Sequence, residues 1–269
     1  MTAALAMVPL QAGGTARPHF VQAPGTPGLE YYVYLPESLQ AGAEPLVLVH
    51  GISRNAAELV LRFAEQADRT GVPLIAPLFR QESFGQYQQA VDPKCRIRSD
   101  LALCTVLDDA ARRFGLATLS IALFGFSGGA QFAHRFSLIH PNRVRVCIPA
   151  SAGWYTMPDP EQLWPLGLAG LPDGPLDPAA RRVPFHLIVG QRDRHDDPAL
   201  RHSPELDRIQ GRDRRSRAKA WHRALRKAGW CEASSLTILP RTRHNFTSAH
   251  RQGLTQTVFR LLGYEGTNQ

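Results

Sequence analysis

The sequence predicts an α/β fold, a mostly parallel central sheet flanked by helices, and three observations predict it. Short apolar runs such as PLVLV (45–49) and FHLIVG (185–190) lack the polar alternation of a half-solvated strand and suit strands buried on both faces. Between such runs lie stretches with apolar residues at helical spacing, so strand and helix alternate along the chain. The third observation is LSIALFGFSGGAQFAHR (119–135), which reads as strand, tight turn and helix around a G-x-S-x-G pentapeptide. At 269 residues and 43% hydrophobic, the chain can bury the core of one large domain.

Residues 1–28 are rich in Gly, Pro, Ala and Thr and are expected to form a partly flexible extension, within which PHFVQA can add an edge strand. The segment 29–269 is read as a single domain. Its first strand is LEYYVYLPE, ended by Pro36, and PLVLV follows and runs into His50-Gly51-Ile52. Asn55 is positioned to cap a helix through Asp68, with Ala57, Val60, Leu61 and Ala64 on one face, and 72–79 is the next strand. The polar stretch 80–98 follows a strand's carboxyl end, where loops of open parallel sheets border the site, so Phe84 and Tyr87 are expected either to line a pocket or to anchor the loop. Ser99 or Asp100 caps a helix to Phe114 that Gly115 closes, and the strand of the pentapeptide spans 119–124. The sixth strand is 144–150. After it, 152–182 is crowded with Pro, Gly and aromatic residues and reads as a short lid-like insertion whose Trp154, Tyr155 and Trp164 either wall an apolar pocket or pack the insertion on the sheet edge. Beyond 185–190 the pattern predicts a helix near 215–228, a strand at 235–239 and a last helix at 248–262.

The 31 basic residues against 23 acidic ones give a net charge of +8, which invites an anionic partner. Lys94, Lys219 and Lys227 are the only lysines, however, and the cluster of arginines in 181–227 reads as a solvated helix face or loop without any nucleic-acid module. Neither nucleic acid nor membrane is expected as a partner, since no apolar run approaches the roughly 20 residues that span a bilayer. Cys95, Cys104, Cys147 and Cys231 form no C-x-x-C pair and no metal-ligand spacing, and read as free thiols with Cys147 buried. With no basic leader or clear cleavage site at the N-terminus, a cytoplasmic location is expected.

Gly125 and Gly129 leave room for a strand and helix to pass closely around Ser127, presenting its hydroxyl at a strained apex that suits a nucleophile. A serine needs a base within hydrogen-bond reach, and His244 follows a strand and precedes a helix, on a loop at the same sheet edge. Asp193 leaves the preceding core strand there and can fix the imidazole tautomer, with Asp196 and Asp197 as understudies. The chain order Ser, Asp, His matches this architecture. For an oxyanion hole, Gly128 supplies one backbone N–H and Ile52, after the His50-Gly51 turn, the second, with Ser53 in reserve. His50 is expected to hold that turn through a hydrogen bond, while His134, His140 and His250 look structural. Asp68, Asp108 and Asp109 read as caps or exposed charges.

On HGI after the third strand, GFSGG at the turn, GQRD after the penultimate strand and RHNF after the last, the chain resembles the α/β-hydrolase fold family over 29–262. GFSGGAQFAHRF followed by ASAGWYT and a short insertion is similar to small esterases and polyhydroxybutyrate-depolymerase-like hydrolases. One departure is the stretch from Asp193 to His244, longer than is usual in the family. The expectation is a cofactor-free, metal-free serine hydrolase cleaving a small or short-polyester ester through an acyl-enzyme. The alternatives are a thioesterase, lipase or polyester depolymerase among enzymes, and a non-catalytic hydrolase-fold protein that binds a ligand or partner.

Overall fold

The computed structural model describes residues 17–25, 29–194 and 197–264. The strands are β1 (His19–Gln22), β2 (Leu29–Tyr34), β3 (Leu46–Val49), β4 (Leu74–Phe79), β5 (Ile121–Phe126), β6 (Val144–Ala150), β7 (His186–Gly190) and β8 (Ser235–Leu239). They form one sheet in the order β1-β2-β4-β3-β5-β6-β7-β8. PHFVQA does add the edge strand β1; β1–β2 and β2–β4 pair antiparallel, and every pairing from β4 to β8 is parallel. Parallel neighbours require crossovers, which the helices α1 (Ala56–Thr70), α2 (Ser99–Phe114), α3 (Gly128–Ile139), α4 (Pro204–Gln210) and α5 (Arg214–Lys227) lie within. Helices α6 (Phe246–Arg251) and α7 (Leu254–Leu261) follow β8.

The continuous apolar runs have the predicted cause: all four residues of β3 are buried because helices cover both faces of the sheet. Val47 and Val49 pack with Leu103 and Leu107 of α2, Phe132 and Phe136 of α3 and Trp221 of α5. Leu46 and Leu48 join Leu59 and Phe63 of α1 and Val258 and Phe259 of α7 on the other face. Each of these side chains, fully removed from water, stabilises the fold by roughly 1.5–3 kcal/mol before conformational entropy is set against it.

Several expectations need correction. Asn55 occupies the cap position of α1 but its side chain bonds Glu58, and α2 starts at Ser99 itself with Arg98 at the cap. Gly115 closes α2 in the left-handed conformation, at φ 65°. The last helix is two, broken where Gly253 takes φ 84°. Helix α4, started by the Ser203 side chain and Pro204, was not anticipated. Asp109 is buried, accepting from the Tyr31 hydroxyl at 2.9 Å, rather than an exposed charge. The arginine-rich segment is not simply a solvated face, because Arg214 and Arg217 point inward and are 4% and 0% exposed. No helix among the described residues is long and apolar enough to cross a membrane.

Candidate active site

The pentapeptide forms a sharp strand-to-helix turn. β5 ends at Phe126, α3 begins at Gly128, and Ser127 between them takes φ 56°, ψ −111°, a conformation that costs a non-glycine residue about 1–3 kcal/mol. Its N–H donates to the Ala150 carbonyl of β6 at 2.8 Å, which helps hold the strained turn in place. The flanking glycines are dictated by contact: a Cβ on Gly125 would lie 2.1 Å from the Gly129 oxygen, and one on Gly129 would lie 2.1 Å from the Val49 oxygen. The helix therefore passes directly against two strand ends.

The carboxyl ends of β7 and β8 bring the other two groups to Ser127. The Gln191 N–H donates to Leu239 O and the Arg192 N–H to Thr242 O, both at 2.8 Å, lacing the two loops together. Gly190 permits this approach, since a Cβ there would lie 2.4 Å from Thr242 O. Ser127 Oγ then stands 3.0 Å from His244 Nε2, and His244 Nδ1 stands 3.0 Å from Asp193 Oδ2. Asp193 is buried at 3% exposure, while the imidazole stacks on Phe126 at 5.4 Å between centroids and keeps one edge toward solvent. Nδ1–H donating to a carboxylate leaves Nε2 free to accept from a hydroxyl.

The turn after β3 faces the same point. The His50 ring is buried: Nε2 accepts the Phe79 N–H at 3.0 Å, so Nδ1–H donates to Gly51 O at 2.8 Å. Burial lowers its pKa to about 4 and keeps it neutral, as a structural clamp requires. The Tyr87 hydroxyl donates to His50 O at 2.7 Å, and the Arg54 guanidinium bonds the carbonyl of Phe79 from the next loop. The Ile52 nitrogen lies beside Gly128, 3.4 Å from where a Cβ on that glycine would stand, and neither N–H donates a hydrogen bond within the described residues. Both free donors thus lie at the turn that carries Ser127.

Around this group lies a cleft of about 570 Å³, lined among others by Ser53, Gln131, Trp154, Asp197, Arg201 and Arg214. Of the understudies for the acid, Asp196 lies outside the described residues. Asp197 pairs with Arg214 at 2.7 Å; burial pushes its carboxyl up, but the Ala199 N–H and Arg214 outweigh that and hold it below the usual range. Arg214 also stands 3.7 Å from Asp193.

No protein-family model and no curated protein matches the sequence. Solved structures do. Poly(aspartic acid) hydrolase-1 from Sphingomonas sp. KT-1 aligns at TM-score 0.77 and 24% identity, over 91% of this chain and 98% of its own. LpqC, a poly(3-hydroxybutyrate) depolymerase from Bordetella parapertussis, aligns at TM-score 0.78 and 23% identity, over 94% and 92%. FphF, a fluorophosphonate-binding serine hydrolase of Staphylococcus aureus, aligns at 0.59 and 14%, over 93% and 99%.

The chain has the α/β-hydrolase fold.

Within that fold, Ser127, Asp193 and His244 meet at the carboxyl ends of β5, β7 and β8, as their order in the sequence predicts. Four expected pocket residues do not line the cleft. Tyr87 is fully buried and braces the turn after β3, and Phe84 packs edge-on against Phe79 behind it. Tyr155 is also fully buried, stacked on Trp221 at 4.6 Å, with its backbone exchanging two hydrogen bonds with the Gln210 carboxamide. Trp164, partly buried, packs against the core. Trp154 does line the cleft, but as a nearly buried ring, 6% exposed. Sequence reading missed Phe126, Gln131, Arg201 and Arg214. Gln131, four residues after Ser127 on α3, follows from helical periodicity, and Phe126 from adjacency to the serine. Nothing local signals the two arginines, which come from the segment inserted before β8.

Proposed function

We propose that the protein is a serine hydrolase that cleaves a carboxylic ester through an acyl-enzyme. The observation that carries this reading is the unbroken chain of contacts from Ser127 Oγ to His244 Nε2 and from His244 Nδ1 to Asp193, each at 3.0 Å. As Oγ attacks the ester carbonyl carbon, His244 Nε2 takes its proton, and Asp193 stabilises the imidazolium and holds the tautomer. Negative charge builds on the carbonyl oxygen, where the N–H groups of Ile52 and Gly128 receive it, each donor lowering the barrier by roughly 3 kcal/mol. Collapse expels the alcohol, protonated by His244, and leaves an acyl group on Ser127. Water, deprotonated by His244, then attacks that acyl group and the second collapse returns the serine.

A strained serine with an idle acceptor and two unbonded N–H groups supports catalysis over mere ligand binding, which needs none of these. One structural neighbour is a poly(3-hydroxybutyrate) depolymerase, which makes a short polyester a reasonable substrate to test alongside small esters. The decisive experiment is labelling with a fluorophosphonate probe, followed by mass spectrometry of the modified peptide. A single adduct on Ser127, lost in Ser127→Ala together with all but about 0.1% of p-nitrophenyl acetate turnover, is the expected result. Undiminished turnover by a cleanly purified Ser127→Ala protein overturns the reading.

A further inference from the structure

Two guanidinium groups lie over the Trp154 indole. Arg135 Cζ lies 4.0 Å from the indole centroid and Arg201 Cζ 5.2 Å from it, both within cation–π range. Arg135 is fully buried; its Nε donates to Thr156 Oγ1 at 3.1 Å and its Nη1 to Gln88 O at 2.7 Å, and its Nη2 has no partner among the described residues. Neither arginine has a carboxylate partner among the described residues. The acids lining the cleft beyond the catalytic group are committed elsewhere, Asp197 to Arg214 at 2.7 Å and Glu58 to Arg62 at 3.5 Å. A cation buried without counter-charge is expensive to keep, and burial together with the neighbouring Arg201 charge brings the Arg135 pKa down to about 9. This corner of the cleft therefore carries positive charge that the described chain does not neutralise.

The corner is also built to hold its shape. Arg217, fully buried, donates from Nη1 to Gly153 O at 2.6 Å and from Nη2 to Arg201 O at 2.9 Å, fixing the backbone on both sides of the stack. Gly153 lies against Gln131 and Leu200, where an added Cβ would come within 2.8 Å and 3.7 Å of them. Gln131, whose N–H donates to Ser127 O at 3.2 Å across the first turn of α3, lines the same cleft as the serine and lies against Gly153, so the corner and Ser127 share one cavity.

We propose that this corner is a carboxylate subsite: Arg201, stacked on Trp154 and backed by Arg135, binds a carboxylate that the substrate carries in addition to its scissile ester. The exposed planar guanidinium of Arg201 presents a fork that matches a carboxylate in two parallel hydrogen bonds, and the buried charge behind it lowers the energy of an anion arriving there. The substrate class is then an ester bearing a free acid group, such as a monoester of a dicarboxylic acid or an acid-terminated oligoester. That the ligand is an ester rests on Ser127 being the nucleophile; the binding of the carboxylate does not.

The test compares two pairs of neutral and charged esters of near-equal shape: monoethyl adipate with ethyl adipamate, and ω-acetoxyhexanoate with its amide. The first pair carries the charge on the acyl side and the second on the alcohol side. In at least one pair the charged member should have a kcat/KM roughly tenfold higher, the size expected of one charge-assisted contact. The preference should vanish in Arg201→Gln, return in part in Arg201→Lys and reverse in Arg201→Glu. Wild-type protein that favours the amide or ignores the charge in both pairs overturns the proposal, as does a preference that survives Arg201→Glu. Calorimetric titration of Ser127→Ala with monoethyl adipate and with ω-acetoxyhexanoate runs in parallel. Binding that depends on Arg201, without turnover by the wild type, upholds the subsite and removes the hydrolase reading. Fluorophosphonate labelling and turnover without charge discrimination do the reverse.

Discussion

At the scale of single residues, the assignment of the acid separates two neighbours in one loop. Asp193 is buried against His244 Nδ1, whereas Asp197 is spent on Arg214, so only the first can hold the imidazole tautomer. Asp193→Asn is expected to lower kcat about 10⁴-fold with little change in KM, and Asp197→Asn to lower it by less than about tenfold. The reverse ranking in steady-state assays removes Asp193 from the mechanism. The sequence made Ser127 legible as a candidate because strand, turn and helix are contiguous around it, and it made His244 and Asp193 legible as candidates because each lies within five residues of a strand's carboxyl end. Tyr87 and Tyr155 misled for one physical reason: an aromatic residue in a loop beside a site can face the cleft or the core. Here each is turned inward by a partner far along the chain, the His50 carbonyl for one and Trp221 for the other.

At the scale of elements, the approach of α3 to β5 and the end of β3 is the tightest in the molecule that the site depends on. Gly129→Ala forces a methyl group to within 2.1 Å of the Val49 backbone oxygen, which cannot rotate away. It is expected to destabilise the protein by several kcal/mol, read as a large drop in melting temperature or loss of soluble protein. A Gly129→Ala protein that melts within a degree or two of wild type contradicts the packing described here. The strands of the parallel sheet were legible to within about two residues, because burial on both faces leaves an unbroken apolar run. Elements that depend on a single local event were less so. The break at Gly253 hides inside a pattern that stays amphipathic across it, and α4 is too short for periodicity to register.

At the scale of the whole molecule, stability should depend on pH through histidines buried neutral. His50 has a folded pKa near 4 because of burial, against 6.5 for the ordinary side chain, and burial likewise holds His134 well below 6.5. Between these values the unfolded chain binds protons that the folded chain refuses, so stability present above pH 6.5 is lost as pH falls toward 4. For His50 alone the loss is about 3 kcal/mol. Urea unfolding from pH 7 to pH 4.5 should show it, with a shallower slope in His50→Gln; equal stability across that range argues against neutral burial. The same scale shows why the arginines could not be read in advance. His244 lies 51 residues beyond Asp193, and the intervening chain is tied back to the cleft by contacts that Arg217 makes, beside those of Arg214 and Gln210. That one guanidinium ties together the carbonyls of Gly153, Arg201 and Gly211 and the carboxylate of Asp207. For recombination among distant relatives this sets the size of the exchangeable unit: a crossover that swaps 197–213 by itself puts the clamp and its acceptors in different parents. A block running from 151 to 228 inherits all of them from one.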